Sequence, residues 1–276
     1  MNNILCPIDF SVASLTSIEF AINIAKKHSS TIKMLHVIAE GEYDENLPKS
    51  DDYYRNIEKE PAQKLKTLVD EINKNNSLDY NLCSFEITQG DLIKKISDVT
   101  ESEKISLIVM GTTGVSDIGE SQVGSNTIKL IESTDIPVLC IPENIKFYAF
   151  ERIMYGSTFS ANDKEFFQSV VNFAVPFDSR IYVVHITNNK DAISDENYKN
   201  YVNNMKSYFV YEKLGFEQFI TNKETGIALE HLLHVHKAHL LILVHKRRNF
   251  IDSFFHKSLT KRMSYLTNFP LLILRN

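Results

Sequence analysis

The sequence predicts two tandem α/β domains, each built on a parallel sheet flanked by helices. Short apolar runs alternate with longer amphipathic segments through the first half, and parallel neighbours need such helical crossovers. Four of these runs recur in the same order in the second half. The length of 276 residues suits two domains of roughly 100–200 residues each.

Asn3 to Ile8 is rich in β-formers and ends at Asp9. Ser11 opens a helix on which Leu15, Ile18, Ile22 and Ala25 recur at helical spacing. Thr31 to Ile38 is the second strand. The acidic stretch from Glu40 to Asp52, a solvated loop long enough to cover a ligand, leads to a helix near Tyr54 to Asn73. A strand near Asn81 to Ile87, a helix near Leu92 to Thr100, a strand from Ser106 to Met110, a helix near Ser125 to Glu132 and a strand from Pro137 to Ile141 complete the half.

The second half repeats this order. ILCPIDFS at Ile4 is matched by IMYGSTFS at Ile153, and MLHVI around His36 by YVVHI around His185. LIVMG, ending at Gly111, answers to LILVH, ending at His245, and IPVLCI answers to FPLLIL near the C-terminus. The junction falls within Glu143 to Phe150, giving domains 1–146 and 147–276.

Composition narrows the function classes. With 43% hydrophobic and 24% charged residues the chain is neither disordered nor collagen-like. No apolar run approaches the roughly 20 residues that span a bilayer. Asp9 falls where a signal peptide would be apolar, so a cytoplasmic location is expected. Net charge is −5, acidic in the first half and basic in the second, which argues against nucleic acid as the partner. Cys6, Cys83 and Cys140 lie in apolar runs and read as buried thiols. His231, His234, His236 and His239 offer no tetrahedral zinc set, and His36 and His185 read as partners of local backbone. Lys246, Arg247, Arg248, Lys257, Lys261 and Arg262 form a basic rim, solvated or facing an anion.

The chemistry gathers in MGTTGVSDIGESQVGSNT, where Gly111, Gly114 and Gly124-Ser125 follow a strand. Open α/β sheets bind ligands beyond the carboxyl ends of their strands. Gly111 and Gly114 remove side chains where backbone must turn and approach a ligand. Gly124-Ser125 stands at a helix start, where unpaired N–H groups and the dipole favour an anion. Ser125 and Thr127 offer hydroxyls to a phosphate, and Asp9 opens onto the same crevice as an acceptor for a nucleoside. The alternative is a tight turn and a helix for which Ser125 is merely the cap. Neither a P-loop nor a dinucleotide fingerprint is present.

The G-x2-G-x9-G-S spacing, together with ILCPIDFS, MLHVI and IPVLCIPE, resembles the universal stress protein family in its tandem two-domain form. The resemblance implies an open, Rossmann-like five-stranded parallel sheet in each domain, of the adenine-nucleotide alpha-hydrolase-like kind. It implies ATP, with Mg or Mn on its phosphates. Asp9 and the backbone at Val37 would hold the adenosine. Met110, Gly111, Thr113, Gly114, Gly124, Ser125, Asn126 and Thr127 would surround the ribose and phosphates. It also implies pairing of the domains about their last strands, as an internal pseudo-dimer and in a possible homodimer.

The second half departs from the motif. Thr158 stands at the place of Asp9, His245 and Arg248 at those of Gly111 and Gly114, and Lys257 at that of Gly124, with Ser258 retained. One nucleotide per chain is therefore expected. No committed catalytic set accompanies the motif, so a regulatory ATP-binding protein is the leading expectation. A slow ATPase using Asp117 and Glu120, autophosphorylation at Ser121 or Ser125, and a nucleotide-free dimeric scaffold are the alternatives.

Overall fold

Parallel pairing organises the whole chain. The computed structural model describes residues 1, 3–39, 51–76, 78–112, 124–143, 145–159, 163–188, 194–245 and 268–275, and these group into two compact units that divide after residue 144. The first carries β1 (Asn3–Pro7), α1 (Val12–His28), β2 (Thr31–Ile38), α2 (Asp51–Lys74), β3 (Cys83–Gln89), α3 (Leu92–Ser102), β4 (Ile105–Gly111), α4 (Ser125–Ser133) and β5 (Val138–Ile141). Its strand order is β3-β2-β1-β4-β5, with every pair parallel. The order reverses at β1, which pairs Ile4 with Ile32 on one side and Leu107 on the other.

The second unit carries β6 (Arg152–Gly156), α5 (Asp163–Ala174), β7 (Arg180–Thr187), α6 (Asp195–Tyr208), β8 (Leu214–Ile220), α7 (Thr225–Val235), β9 (Leu240–His245) and β10 (Leu271–Arg275). Its order, β8-β7-β6-β9-β10, is again all parallel and reverses at β6. The second-half counterpart of α4 and the whole basic rim from Lys246 to Arg262 lie outside the described residues. No helix among the described residues is long and apolar enough to cross a membrane.

Local signals start and stop the helices. Ser11 caps α1, its hydroxyl accepting the Ser14 N–H at 3.2 Å, and Asp91 caps α3 through the Lys94 N–H at 2.9 Å. Lys26, Lys27 and His28 place cationic side chains at the negative end of the α1 dipole. The buried face of α1 keeps Ile18 and Ala25 of the stripe expected from periodicity but departs from it elsewhere. Leu15 is 45% exposed and Ile22 half-buried, whereas Ser14, Ser17, Ala21 and Ile24 are buried. Small residues win these positions because α1 lies close against the sheet. Burial pushes the thiols of Cys6, Cys83 and Cys140 up to about 12, so none is a ready nucleophile at neutral pH.

At the amino ends of the second unit's strands, His239 joins the chain entering β6 to the end of α7. Its Nδ1–H donates to the Ala149 carbonyl at 2.8 Å, so its Nε2 is the acceptor for Arg152 Nη2 at 2.7 Å. Burial and the Arg152 charge hold the imidazole below its ordinary value, opposed by the Ala149 bond and Glu151. Protonation removes the acceptor that Arg152 uses. The unfolded chain binds this proton more readily than the folded one, so stability is complete above the ordinary imidazole range. It declines as pH falls through about 6.5 towards the lower folded value. Urea unfolding between about pH 7.5 and 5 should show this acid loss, smaller in His239→Gln than in the parent; equal slopes would exclude His239 as its source.

Candidate functional site

Asp9 directly follows the last paired residues of β1, where the strand order of the first unit turns back. Its Oδ1 accepts the Ser11 N–H at 3.0 Å, an Asx turn that leads into the α1 cap. Phe10 between them adopts φ 64°, and its ring lies 5.0 Å from that of His36 and 5.5 Å from Lys64 Nζ. His36 Nδ1 donates to the Ile8 carbonyl at 2.8 Å, while the Ile8 N–H donates to Leu35 at 2.9 Å. This bracing holds the end of β1 against β2. Val37, half-buried, stands one residue further along β2.

Gly111, the last residue of β4, is buried beneath the first turn of α1. A Cβ there would stand 2.7 Å from the Ala13 carbonyl carbon and 2.9 Å from the Ser14 nitrogen. The bare position expected to face a ligand is thus required by the helix itself. Met110 beside it is buried. Thr112 then ties three ends together: its N–H donates to the Ile141 carbonyl at 2.9 Å, and its own carbonyl accepts the Gly124 N–H at 2.5 Å. The chain therefore leaves β4 and returns to α4 at one point. Thr113, Gly114, Asp117, Glu120 and Ser121 belong to the segment between, which lies outside the described residues.

Gly124, not Ser125, is the N-cap of α4, and no side chain bonds to this terminus among the described residues. The alternative in which Ser125 is merely the cap does not hold: Ser125 is already helical, so its hydroxyl stands outside the capping position. Ser125 and Asn126 are exposed, and the Thr127 and Ile128 N–H groups both turn back to the Gly124 carbonyl. Thr127 is corrected as well. Its side chain is buried and its hydroxyl donates to the Gly111 carbonyl at 3.2 Å, so that donor serves the fold instead of a phosphate.

The second unit repeats the bracing and changes what sits on it. His185 Nδ1 donates to the Ser157 carbonyl at 2.9 Å, the Ser157 N–H donates to Val184, and Phe159 adopts φ 52°. Phe159 lies between His185, with centroids 5.0 Å apart, and Tyr201 of α6, at 4.4 Å, both stacked. The carboxylate here is Asp163, buried at the start of α5, which accepts from the Ser157 and Tyr201 hydroxyls. Burial, with Asp163 and Tyr201 adding to it, pushes the Tyr155 phenol up, and that hydroxyl has no partner among the described residues. His245, at the place of Gly111, ends β9 and is buried.

The four histidines of the α7 region go separate ways. His236 Nε2 meets Glu217 at 2.8 Å and its ring stacks on Tyr182, His234 packs edge-on against Phe269, and His231 faces Phe219. The Asx turn, the left-handed Phe10 and the proximity of Lys64 escaped the sequence reading, because only the D-F-S order hints at the first and nothing local signals the others.

Gly111→Ala should cost about 1–3 kcal/mol of stability, because the new methyl meets helix backbone that cannot rotate aside. Denaturant unfolding checks it, and a stability within about 0.5 kcal/mol of the parent would mean that α1 yields there freely.

The Universal stress protein family model matches residues 1–142. A universal stress protein of Methanocaldococcus jannaschii is 28% identical over 149 residues, covering 50% of this chain and 80% of that protein. Among solved structures, a universal stress protein from Archaeoglobus fulgidus aligns with a TM-score of 0.73 at 16% identity, covering 99% of this chain and 98% of its own. A putative universal stress protein from Pseudomonas aeruginosa aligns with a TM-score of 0.67 at 13% identity, covering 99% and 92%. The structural likenesses establish the fold along the chain, and the family match takes in more than half of it: the chain belongs to the universal stress protein family.

Proposed function

We propose that the first unit binds one adenine nucleotide, ATP with Mg or Mn on its phosphates, and that occupancy of this crevice makes the chain a regulatory stress-response protein. The observation that carries the reading is the α4 terminus. It is held at the end of β4 by the Thr112–Gly124 bond and begins on a glycine with no side-chain cap. Such a terminus presents backbone N–H groups and the positive end of a dipole to an anion. Ser125 and Asn126, exposed in its first turn, are the side chains available to the phosphates. Asp9 and Val37, at the ends of neighbouring strands, would receive the adenosine across the reversal of strand order. Gly111 and Met110 would act through the backbone they fix, as would Thr127 through its bond to Gly111.

The second unit takes no nucleotide in this reading. The corresponding strand end carries the Phe159–Tyr201 stack and a buried carboxylate already accepting two hydroxyls. Calorimetric titration with MgATP should give close to one site per chain. At a hundredfold excess over Kd, binding should stabilise the protein by about 2.7 kcal/mol. Asp9→Ala should weaken binding about tenfold or more, and Thr158→Ala should leave it unchanged. Two equivalent sites, or no saturable heat with a folded protein, would overturn the proposal.

A further inference from the structure

A cleft of about 350 Å³ opens in the second unit at the amino ends of its strands. Its floor is apolar, formed by the buried Leu233 and Ala238. Its walls are aromatic: Phe269 packs edge-on against His234 at 5.1 Å, and Tyr148, 65% exposed, lies 6.4 Å from His239. Two cationic side chains, Arg152 and Lys237, complete the lining.

Local contacts fix Arg152, and no local contact requires the ammonium of Lys237 among the described residues. Arg152 is immobilised, its Nε donating to the Lys237 carbonyl at 2.7 Å and its Nη2 to His239. A guanidinium has five N–H donors, so this fork is pre-oriented with donors in hand. Its carboxylate neighbour, Glu151, stands 3.5 Å from Nη1 and is itself well exposed. Lys237 sits at φ 48°, the left-handed position after α7 where glycine is preferred. The α7 carbonyls need no ammonium there, because Lys237 N–H bonds to His234 and Ala238 N–H to Leu233. Lys237 thus presents a cation from a backbone conformation that suits glycine, beside a fixed arginine and an apolar floor.

We propose that this cleft binds a flat aromatic anion: a ring carrying a carboxylate, sulfonate or phosphate. The acid group pairs with Arg152 and Lys237, and the ring lies on the apolar floor against Phe269 and Tyr148. The arrangement is independent of the nucleotide crevice, which belongs to the other unit and to the carboxyl ends of its strands.

The test is a titration of the full chain with naphthalene-2-sulfonate, followed by the imidazole proton resonances, with His→Gln variants to assign them. Saturable shifts confined to His234 and His239 are expected, and 2-naphthol, which has the ring without the charge, should bind about tenfold more weakly. Lys237→Gly relieves the backbone while removing the ammonium, so its thermal midpoint should hold or rise as its affinity falls about tenfold. Phe269→Ala should weaken both probes. The proposal is overturned if no saturable shift appears up to about 5 mM, or if folded Lys237→Gly and Arg152→Gln bind naphthalene-2-sulfonate as tightly as the parent.

Discussion

The first unit depends on how closely α1 can approach the end of β4. Gly111 lets the backbone of Ala13 and Ser14 come to where a Cβ would otherwise be. From that closeness the rest is tied by hydrogen bonds. Thr127 bonds back to the Gly111 carbonyl, Thr112 bonds to Ile141, and Gly124 bonds to Thr112. Two strand ends and two helix starts are thereby held at one place, and the crevice owes its geometry to that knot. For the proposed nucleotide such preorganisation would count, because dipoles already aimed need no reorientation when a charge arrives.

The two units share a second device with a different use in each. In both, a histidine of the neighbouring strand braces the end of the unit's first strand, and a phenylalanine with positive φ turns the chain out of it. Above Phe10 stands Lys64, a solvated cation over a ring; above Phe159 stands Tyr201, which seals its ring from the other side. The carboxylate sits differently as well, in the half-buried turn at Asp9 in one unit and at the buried helix start at Asp163 in the other. A buried carboxylate needs donors, and Ser157 and Tyr201 supply them. The same strand end thus carries a half-buried, hydrogen-bonded turn in the first unit and an internal carboxylate network in the second.

The strands were legible because parallel, doubly covered strands are almost continuously apolar, and β1, β2, β4 and β5 each lie within a residue or two of their predicted ranges. The predicted third strand came two residues early, since CSFEITQ alternates instead of running apolar and β3 is the edge strand. Reading α1 by its apolar residues found Ile18 and Ala25 on the buried face but wrongly added Leu15 and Ile22 and missed the small residues beside them. Periodicity weighs hydrophobicity, whereas this interface is decided by size, and Ser14, Ser17 and Ala21 are small enough to lie flat on the sheet. The glycine spacing marked Gly111 and Gly124 as places where bare backbone matters, but gave Gly111 to a ligand when α1 requires it, because nothing in sequence separates a glycine bare for a ligand from one bare for a helix.

That ambiguity is not symmetrical between the glycines. Gly111 is fully accounted for by packing and by itself says nothing of a ligand. Gly124 stands instead at the N-cap of α4, where a side chain has a capping role to play. At an N-cap, serine, aspartate or asparagine would place an oxygen on the first-turn N–H groups and stabilise α4 by about 1 kcal/mol more than alanine would, with glycine only a few tenths behind. A capping oxygen would occupy the very amides that an incoming phosphate oxygen needs, and a capping aspartate would also repel it. Glycine keeps the helix nearly as stable and leaves that terminus without a side-chain oxygen of its own. Side-chain caps secure the starts at Ser11, Asp91 and Ser194, whereas α7, like α4, begins without one. What sets α4 apart is that its cap is a glycine tied to the end of β4, which leaves the place of a capping oxygen open to an acceptor from outside the chain.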